Sequence, residues 1–276
     1  MKSINKRKIL VGILSIIFLV LLTSIYIIYI KKNVIPTTNS KTSISNMFLP
    51  INGAYSIGKG ETTPINFTYI YSNKHKDLFK KIDSVNLVNS KSIRIQNYSI
   101  KGNGHIGEYH IKTLVINMIG VSKGHTQINE ISIQTERGIK NYKIGTLGFN
   151  IIDGVSEKPL IIGNMYPVIR DEKNNYMFSL QNDGLNNVTI REFIAELNGR
   201  LIFKNKPINI NPNELKEEEV KINIDFNKSP YAVTVIRPSI YYLDGYEQKV
   251  LLPPPTWYGL MRISQKQINK TIKYNL

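Results

Sequence analysis

The segment GNGHIGEYH, residues 102–110, gathers the residue types that hold divalent metals: His105, Glu108 and His110, with His125 following. Imidazole nitrogens and a carboxylate oxygen are ordinary ligands for such ions. Alternation along a strand puts Glu108 and His110 on one face, and the glycine-rich loop can bring His105 beside them. The spacing matches neither a helical HExxH pair nor a zinc finger. The preferred reading is therefore a hairpin with ordinary surface histidines, and a metal-dependent enzyme built on His105, Glu108 and His110 is the alternative. Other chemistry is poorly provided for. The chain has no Cys, so thiolate nucleophiles, disulfides and structural zinc–thiolate sites are excluded. It has no SxxK with its accompanying boxes and no GxxxxGK[ST] loop. No catalytic residue, cofactor or metal is assigned.

A second distinctive segment is LPPPTWYG, residues 252–259, with the chain's only Trp. Pro253, Pro254 and Pro255 impose an extended polyproline-type stretch ahead of Trp257 and Tyr258. As a binding element these five residues would dock into a partner's aromatic groove. As a structural element the segment ends the last strand, with Trp257 packed across the open end of a sandwich. The structural reading is preferred.

Positioning such residues falls to a chain of 276 residues carrying 36 Lys+Arg against 20 Asp+Glu, a net charge of +16. Residues 1–8 are a basic segment. Residues 9–30, ILVGILSIIFLVLLTSIYIIYI, contain no charge. As a helix this run spans roughly 33 Å, enough to cross a hydrocarbon core of about 30 Å. No A-x-A-like cleavage site follows it closely, so it reads as an uncleaved signal anchor contacting the lipid bilayer. Lys2, Lys6, Arg7 and Lys8 precede it, whereas Lys31 and Lys32 follow. This bias favours a cytoplasmic N-terminus and extracytoplasmic C-terminal domains at the cell membrane. Beyond the anchor 32 positive and 20 negative charges leave +12. The excess is mostly Lys, dispersed rather than clustered, so nucleic acid is not expected. Attraction to an anionic cell-wall polymer is a further alternative.

Residues 31–47 read as a linker rich in Thr, Ser and Asn. From residue 48 the dominant signal is period-two alternation, as in Ile65, Phe67 and Tyr69 or Val220, Ile222 and Ile224. Turn signals recur at Arg137-Gly138, Asp153-Gly154, Asp183-Gly184, Asn198-Gly199 and Asp244-Gly245. The fold class is all-β. An N-terminal transmembrane helix is followed by two antiparallel β-sandwich domains, residues 48–158 and 165–258, with a basic tail at 259–276. Candidate strands in the second block are 165–170, 176–181, 187–197, 200–204, 219–225, 231–242 and 246–252. The apolar phase shifts between residues 190 and 194, as a β-bulge requires. Glu217, Glu218 and Glu219 read as a solvated acidic loop. In the tail, Met261, Ile268 and Ile272 form a weak apolar stripe, and the plain reading is a frayed end rather than a membrane-touching helix. Helical pattern is otherwise confined to residues 75–82.

The stretch YMFSLQNDGLNNVTIREFIAELNG, residues 176–199, resembles the early strands of bacterial immunoglobulin-like modules, and VKINID at 220–225 continues the resemblance. It covers about a third of the chain, and the Cys pair and strand Trp of antibody domains are missing. The resemblance implies a non-enzymatic binding or scaffolding role in the cell envelope, with a protein partner meeting sandwich edges and end loops such as Asp183–Asn187.

Overall fold

A computed structural model describes residues 47–276, except 73–76, 78, 80, 157, 165–168, 171–174, 198–199, 202, 204–205, 223–232, 260–263 and 276. The expected anchor at 9–30, nearly all of the linker and His75 lie outside the described residues. Among the described residues no helix is long and apolar enough to cross a membrane.

In chain order the strands are β1 (Met47–Phe48), β2 (Ile51–Gly58), β3 (Thr62–Ser72), β4 (Ile82–Leu87), β5 (Ile93–Ile106), β6 (Tyr109–Gly120) and β7 (Gly124–Thr135). Next come β8 (Gly138–Ile152), β9 (Leu160–Ile162), β10 (Ile169–Arg170), β11 (Asn175–Asn182), β12 (Val188–Ile194), β13 (Glu196–Leu197) and β14 (Arg200–Leu201). The last are β15 (Ile208–Ile210), β16 (Leu215–Lys221), β17 (Val233–Arg237), β18 (Ser239–Asp244), β19 (Glu247–Leu251) and β20 (Thr256–Tyr258), followed by a helix, α1 (Gln265–Asn275). The described chain is all-β apart from α1.

Alternation builds the outer sheets. In β3 Ile65, Phe67 and Tyr69 are buried while Thr62, Pro64 and Asn66 face solvent. The four-stranded sheet β1-β3-β6-β5 covers one side of a first core. A seven-stranded sheet, β10-β20-β17-β2-β8-β7-β4, covers the other. A second core lies between β16-β11-β9 and β15-β12-β18-β19.

The seven-stranded sheet crosses the boundary expected between the blocks 48–158 and 165–258. β2 runs parallel to β8 and to β17, and β17 pairs antiparallel with β20. The second block thus supplies strands to the first block's sheet, and Ile44–Leu276 is one compact unit. These shared strands are buried on both faces, the usual setting of parallel pairing. Ile51 and Tyr55 of β2, Val233 and Val235 of β17 and Trp257 of β20 enter the first core. Their neighbours Ala54, Ile236 and Tyr258 enter the second. Close approach requires Gly145 in β8. Its φ is 101°, and a Cβ there would lie 2.1 Å from the carbonyl oxygen of Ile51.

Arg237, at the end of β17, is only 8% exposed and ties this junction together. Its Nε donates to the Pro253 carbonyl at 2.7 Å and its Nη1 to the Ser56 carbonyl at 3.2 Å. Its Nη2 meets Glu61 Oε1 at 2.7 Å, and the guanidinium lies 5.5 Å from the Tyr55 ring centre. Glu61 in turn accepts the Gly58 N–H at 2.7 Å.

Three expectations need correction. Glu217, Glu218 and Glu219 sit on β16, paired with β11, not in a loop. Lys216 turns inward with Glu218, 3.1 Å away, while Glu217 and Glu219 point to solvent. Inward charges suit an edge strand, which is why the charge run resembles a loop. The helix α1 of the C-terminal segment is not frayed: Ile268 and Ile272 are buried against Leu49, Ile70 and Tyr109, while Met261 lies outside the described residues. Its apolar stripe is thereby occupied by the protein's own sheet. The run expected at 231–242 is two strands in different sheets, β17 and β18, separated at Pro238. The bulge is present, as a register shift between Ile190 and Glu192 against β18.

Truncation of Arg237 strands a carboxylate and two carbonyls, one of the costlier losses in a core. Arg237→Ala is expected to lower unfolding stability by about 3 kcal/mol or more, read by chemical denaturation. Arg237→Lys should recover only a minor part, because an ammonium cannot reproduce the planar fork.

Candidate functional site

The histidine segment folds as the tip of the β5–β6 hairpin, with Gly107 and Glu108 in its two-residue turn. His105 pairs with His110 across the hairpin, and His110 pairs with Tyr71 on β3. Their rings form a ladder, with centroids 4.3 Å apart for the histidines and 4.8 Å apart for His110 and Tyr71. Glu108, exposed in the turn, is not on a strand face beside His110. His125 lies on β7 in the other sheet, opposite Asn150. Among the described residues no three His, Asp or Glu side chains are grouped so as to hold a metal ion.

The 252–259 segment is buried, as the structural reading expects, but it does not cap the end of a sandwich: it leads into a further strand, β20, inside the seven-stranded sheet. Trp257 and Tyr258 are buried on β20, 8% and 1% exposed, and the Tyr258 hydroxyl donates to the Asn175 carbonyl at 3.2 Å. As binding residues both are therefore corrected: neither is available to a partner in this conformation. Pro253 is buried with its carbonyl on Arg237, and only Pro254 and Pro255 are half-buried.

The end of the second sandwich presents a more open surface. β12 pairs with β18 so that Val188 stands opposite Asp244, which brings the loop at 183–187 beside the Gly245–Tyr246 turn. Leu185 is 95% exposed and Tyr246 is fully exposed. Apolar side chains so placed contribute nothing to the core.

The loops that carry them are braced. Asn182, fully buried, donates from Nδ2 to the carbonyls of Asn186 (2.8 Å) and Ile210 (3.1 Å), while its Oδ1 accepts the Gly184 N–H at 3.0 Å. Both amide protons and the acceptor oxygen are engaged, and this Asx-type turn fixes the loop backbone. The Asp183 N–H donates to the Pro159 carbonyl at 3.0 Å. Asn186 Nδ2 then donates to Asp244 Oδ1 at 3.2 Å, linking loop to turn.

Lys249 completes the support, 2.7 Å from Asp244 and 3.2 Å from Glu247. Its ammonium hydrogen bond holds the Asp244 carboxyl below the usual value, assisted by Asn186 against partial desolvation. The same bond holds the Lys249 ammonium above its usual value. What this arrangement offers is shape and apolar area on a fixed frame, suited to contact rather than to proton transfer. The Asn-rich turn at 183–187 is visible in the sequence, but nothing in it marks Tyr246, since a Tyr after Asp-Gly is as compatible with burial as with exposure.

No family model matches the chain, and no curated protein matches it in sequence. Similar solved structures include a protein of unknown function from Porphyromonas gingivalis W83, 7% identical with a TM-score of 0.25, covering 78% of this chain and 99% of that one. Another is DIP-gamma IG1+IG2, 10% identical with a TM-score of 0.23, covering 78% and 97%. The titin domains z1z2 in complex with telethonin are 12% identical with a TM-score of 0.22, covering 79% and 96%. At these TM-scores the likenesses decide neither topology nor function, and the sandwich description rests on the strand order itself.

The Asp244–Lys249 contact carries a pH signature. Because the folded carboxyl titrates below its ordinary 3.8, its stabilisation is fully present above that value and is lost as pH falls through the folded pKa. Asp244→Asn is expected to melt lower than the parent at neutral pH and to lose less stability on acidification. Melting temperatures across an acid series check this.

Proposed function

We propose that this chain is a single-pass membrane protein, N-terminus in the cytoplasm, that presents its β-rich unit outside the cytoplasm as a non-enzymatic binding or scaffolding module. Immunoglobulin-like sandwich character, a setting in the cell envelope and a protein partner belong to this reading. Its support for the membrane is the uncharged run 9–30 and the basic residues ahead of it. The observation that carries the binding role is the exposure of Leu185 and Tyr246 on loops held by Asn182, Asn186 and Asp244. A loop backbone that is already braced loses little conformational entropy on contact, which favours association. End loops on a rigid sandwich are a common place for such contacts.

The test has two arms. A protease site and tag at the C-terminus should be cut on intact cells, with lysed cells as the control. Photo-crosslinking amino acids at the neighbouring exposed positions 187 and 248 should then capture a defined extracytoplasmic protein. Leu185→Asp with Tyr246→Ala should abolish capture while leaving the melting temperature unchanged. A tag protected until lysis overturns the topology, and capture unaffected by the double variant overturns the contact surface.

A further inference from the structure

A groove of about 570 Å³ opens along the first sandwich where its two sheets fail to meet, between β4 and β5. β4 ends the seven-stranded sheet and β5 ends the four-stranded one. No described strand pairs with the outer edge of either. In an edge strand alternate residues turn their N–H and C=O groups away from the neighbour, here toward the groove. The floor is apolar: Val85 and Ile93 are buried, and Leu87, Ile95 and Tyr98 pack partly buried on the first core. Exposed Asp83 and Arg94 mark the rims, one charge of each sign.

Other edges are protected by familiar means. β1 and β10 are two residues long and β15 three. β16 turns Lys216 and Glu218 inward. β19 is covered by the chain at 155–156, where the Ser156 N–H donates to the Val250 carbonyl at 2.7 Å. β5 is broken by register shifts at Ile95/Asn97 and Lys101/Gly104. β4 has its one shift at Ile82/Ser84, near its start, and the rest of its edge runs in unbroken register from Ser84 to Leu87 along the groove.

The ends of the groove are defined as well. The Val88–Ser92 arch closes one, fixed by Val88 N–H on the Glu130 carbonyl and Ser90 Oγ on the Ile93 carbonyl. At the other, the Tyr98 hydroxyl donates to the Ile82 carbonyl at 3.2 Å, bridging the mouth. Between them the six residues from Ile93 to Tyr98 correspond to roughly 20 Å of extended chain.

We propose that this groove is a strand-addition site: an extended partner segment pairs with β4 as an eighth strand and places alternate apolar side chains over Val85, Leu87 and Ile95. The free main-chain groups supply the pairing and the floor supplies the selectivity for alternation. With one Asp and one Arg at the rims of a chain otherwise in cationic excess, the fitting segment is electrically neutral. This surface is separate from the loops at residues 185 and 246 and stands whether or not those loops bind.

The test uses the full chain in detergent with ten-residue probe peptides alternating an apolar residue (Val, Leu or Tyr) with Thr, each matched to a copy carrying a central Pro. Amide hydrogen exchange should slow at residues 83–87 with at least one alternating probe and not with its Pro copy, since Pro cannot pair at that position. Leu87→Lys should abolish the protection by setting a charge in the floor. Tyr98→Phe, which removes the bridge and keeps the ring, should tighten binding by about fivefold. The probe comparison needs no variant, so it decides even if Leu87→Lys fails to fold. Unchanged exchange with all three probes overturns the site, as does equal protection by the Pro copies. Self-association that disappears in Leu87→Lys without any peptide would assign the groove to a second copy and overturn the partner segment.

Discussion

A guanidinium buried among main-chain carbonyls sets the terms for the whole β unit. Arg237 carries a permanent charge into a site that is nearly dry, where an unpaired cation would be prohibitive. It is tolerated because Glu61, Ser56 and Pro253 converge on it, each from a different part of the chain. Those three contacts fix where β17 lies against β2 and where the proline stretch turns toward β20. The Tyr55 ring beneath it adds a cation–π contact, and its own hydroxyl meets Thr63 at 2.8 Å. Burial raises the Tyr55 pKa, so the phenol stays neutral beside the ion pair.

From that junction the division of labour follows. β2, β17 and β20 are lined on one face by the first core and on the other by the second, so neither sandwich is complete without them. The face of β2 toward the second core is built of Asn52, Ala54 and Ser56, small enough for close packing. Asn52 Oδ1 and Ser56 Oγ are buried there without a hydrogen-bond partner among the described residues. With the frame so constrained, the loops at its far end can be held by a few side-chain bonds and still keep Leu185 and Tyr246 in place.

The sequence reading succeeded where structure is local. Alternation in β3, the hairpin turn at Asp244-Gly245 and the bulge after Ile190 are all written within a few residues, whereas Asp183-Gly184 opens a crossover between two sheets rather than a hairpin. It failed where identity depends on distant partners. β2, INGAYSIG, has small and polar residues on the face that meets the second core, so it lacks the continuous apolar run of a buried parallel strand. β9, β15 and β20 are three residues long, too short for any period to show. β16 looks like a loop because edge protection is written in charges. Among its described side chains α1 buries two apolar residues, and it has no acid in its first turn, leaving little to distinguish a docked helix from a basic tail. At the candidate site the Asn-rich loop was visible, whereas its pairing with Tyr246 depends on the β12–β18 register.

The central claim is that the two cores form one cooperative unit through shared strands. Trp257, the sole Trp, reports on the first core by fluorescence. Amide exchange in β11 and β12, measured across the same denaturant series, reports on the second. The account predicts a single denaturation midpoint for both signals. Opening of β11 and β12 at lower denaturant, with Trp257 fluorescence still native, would contradict it.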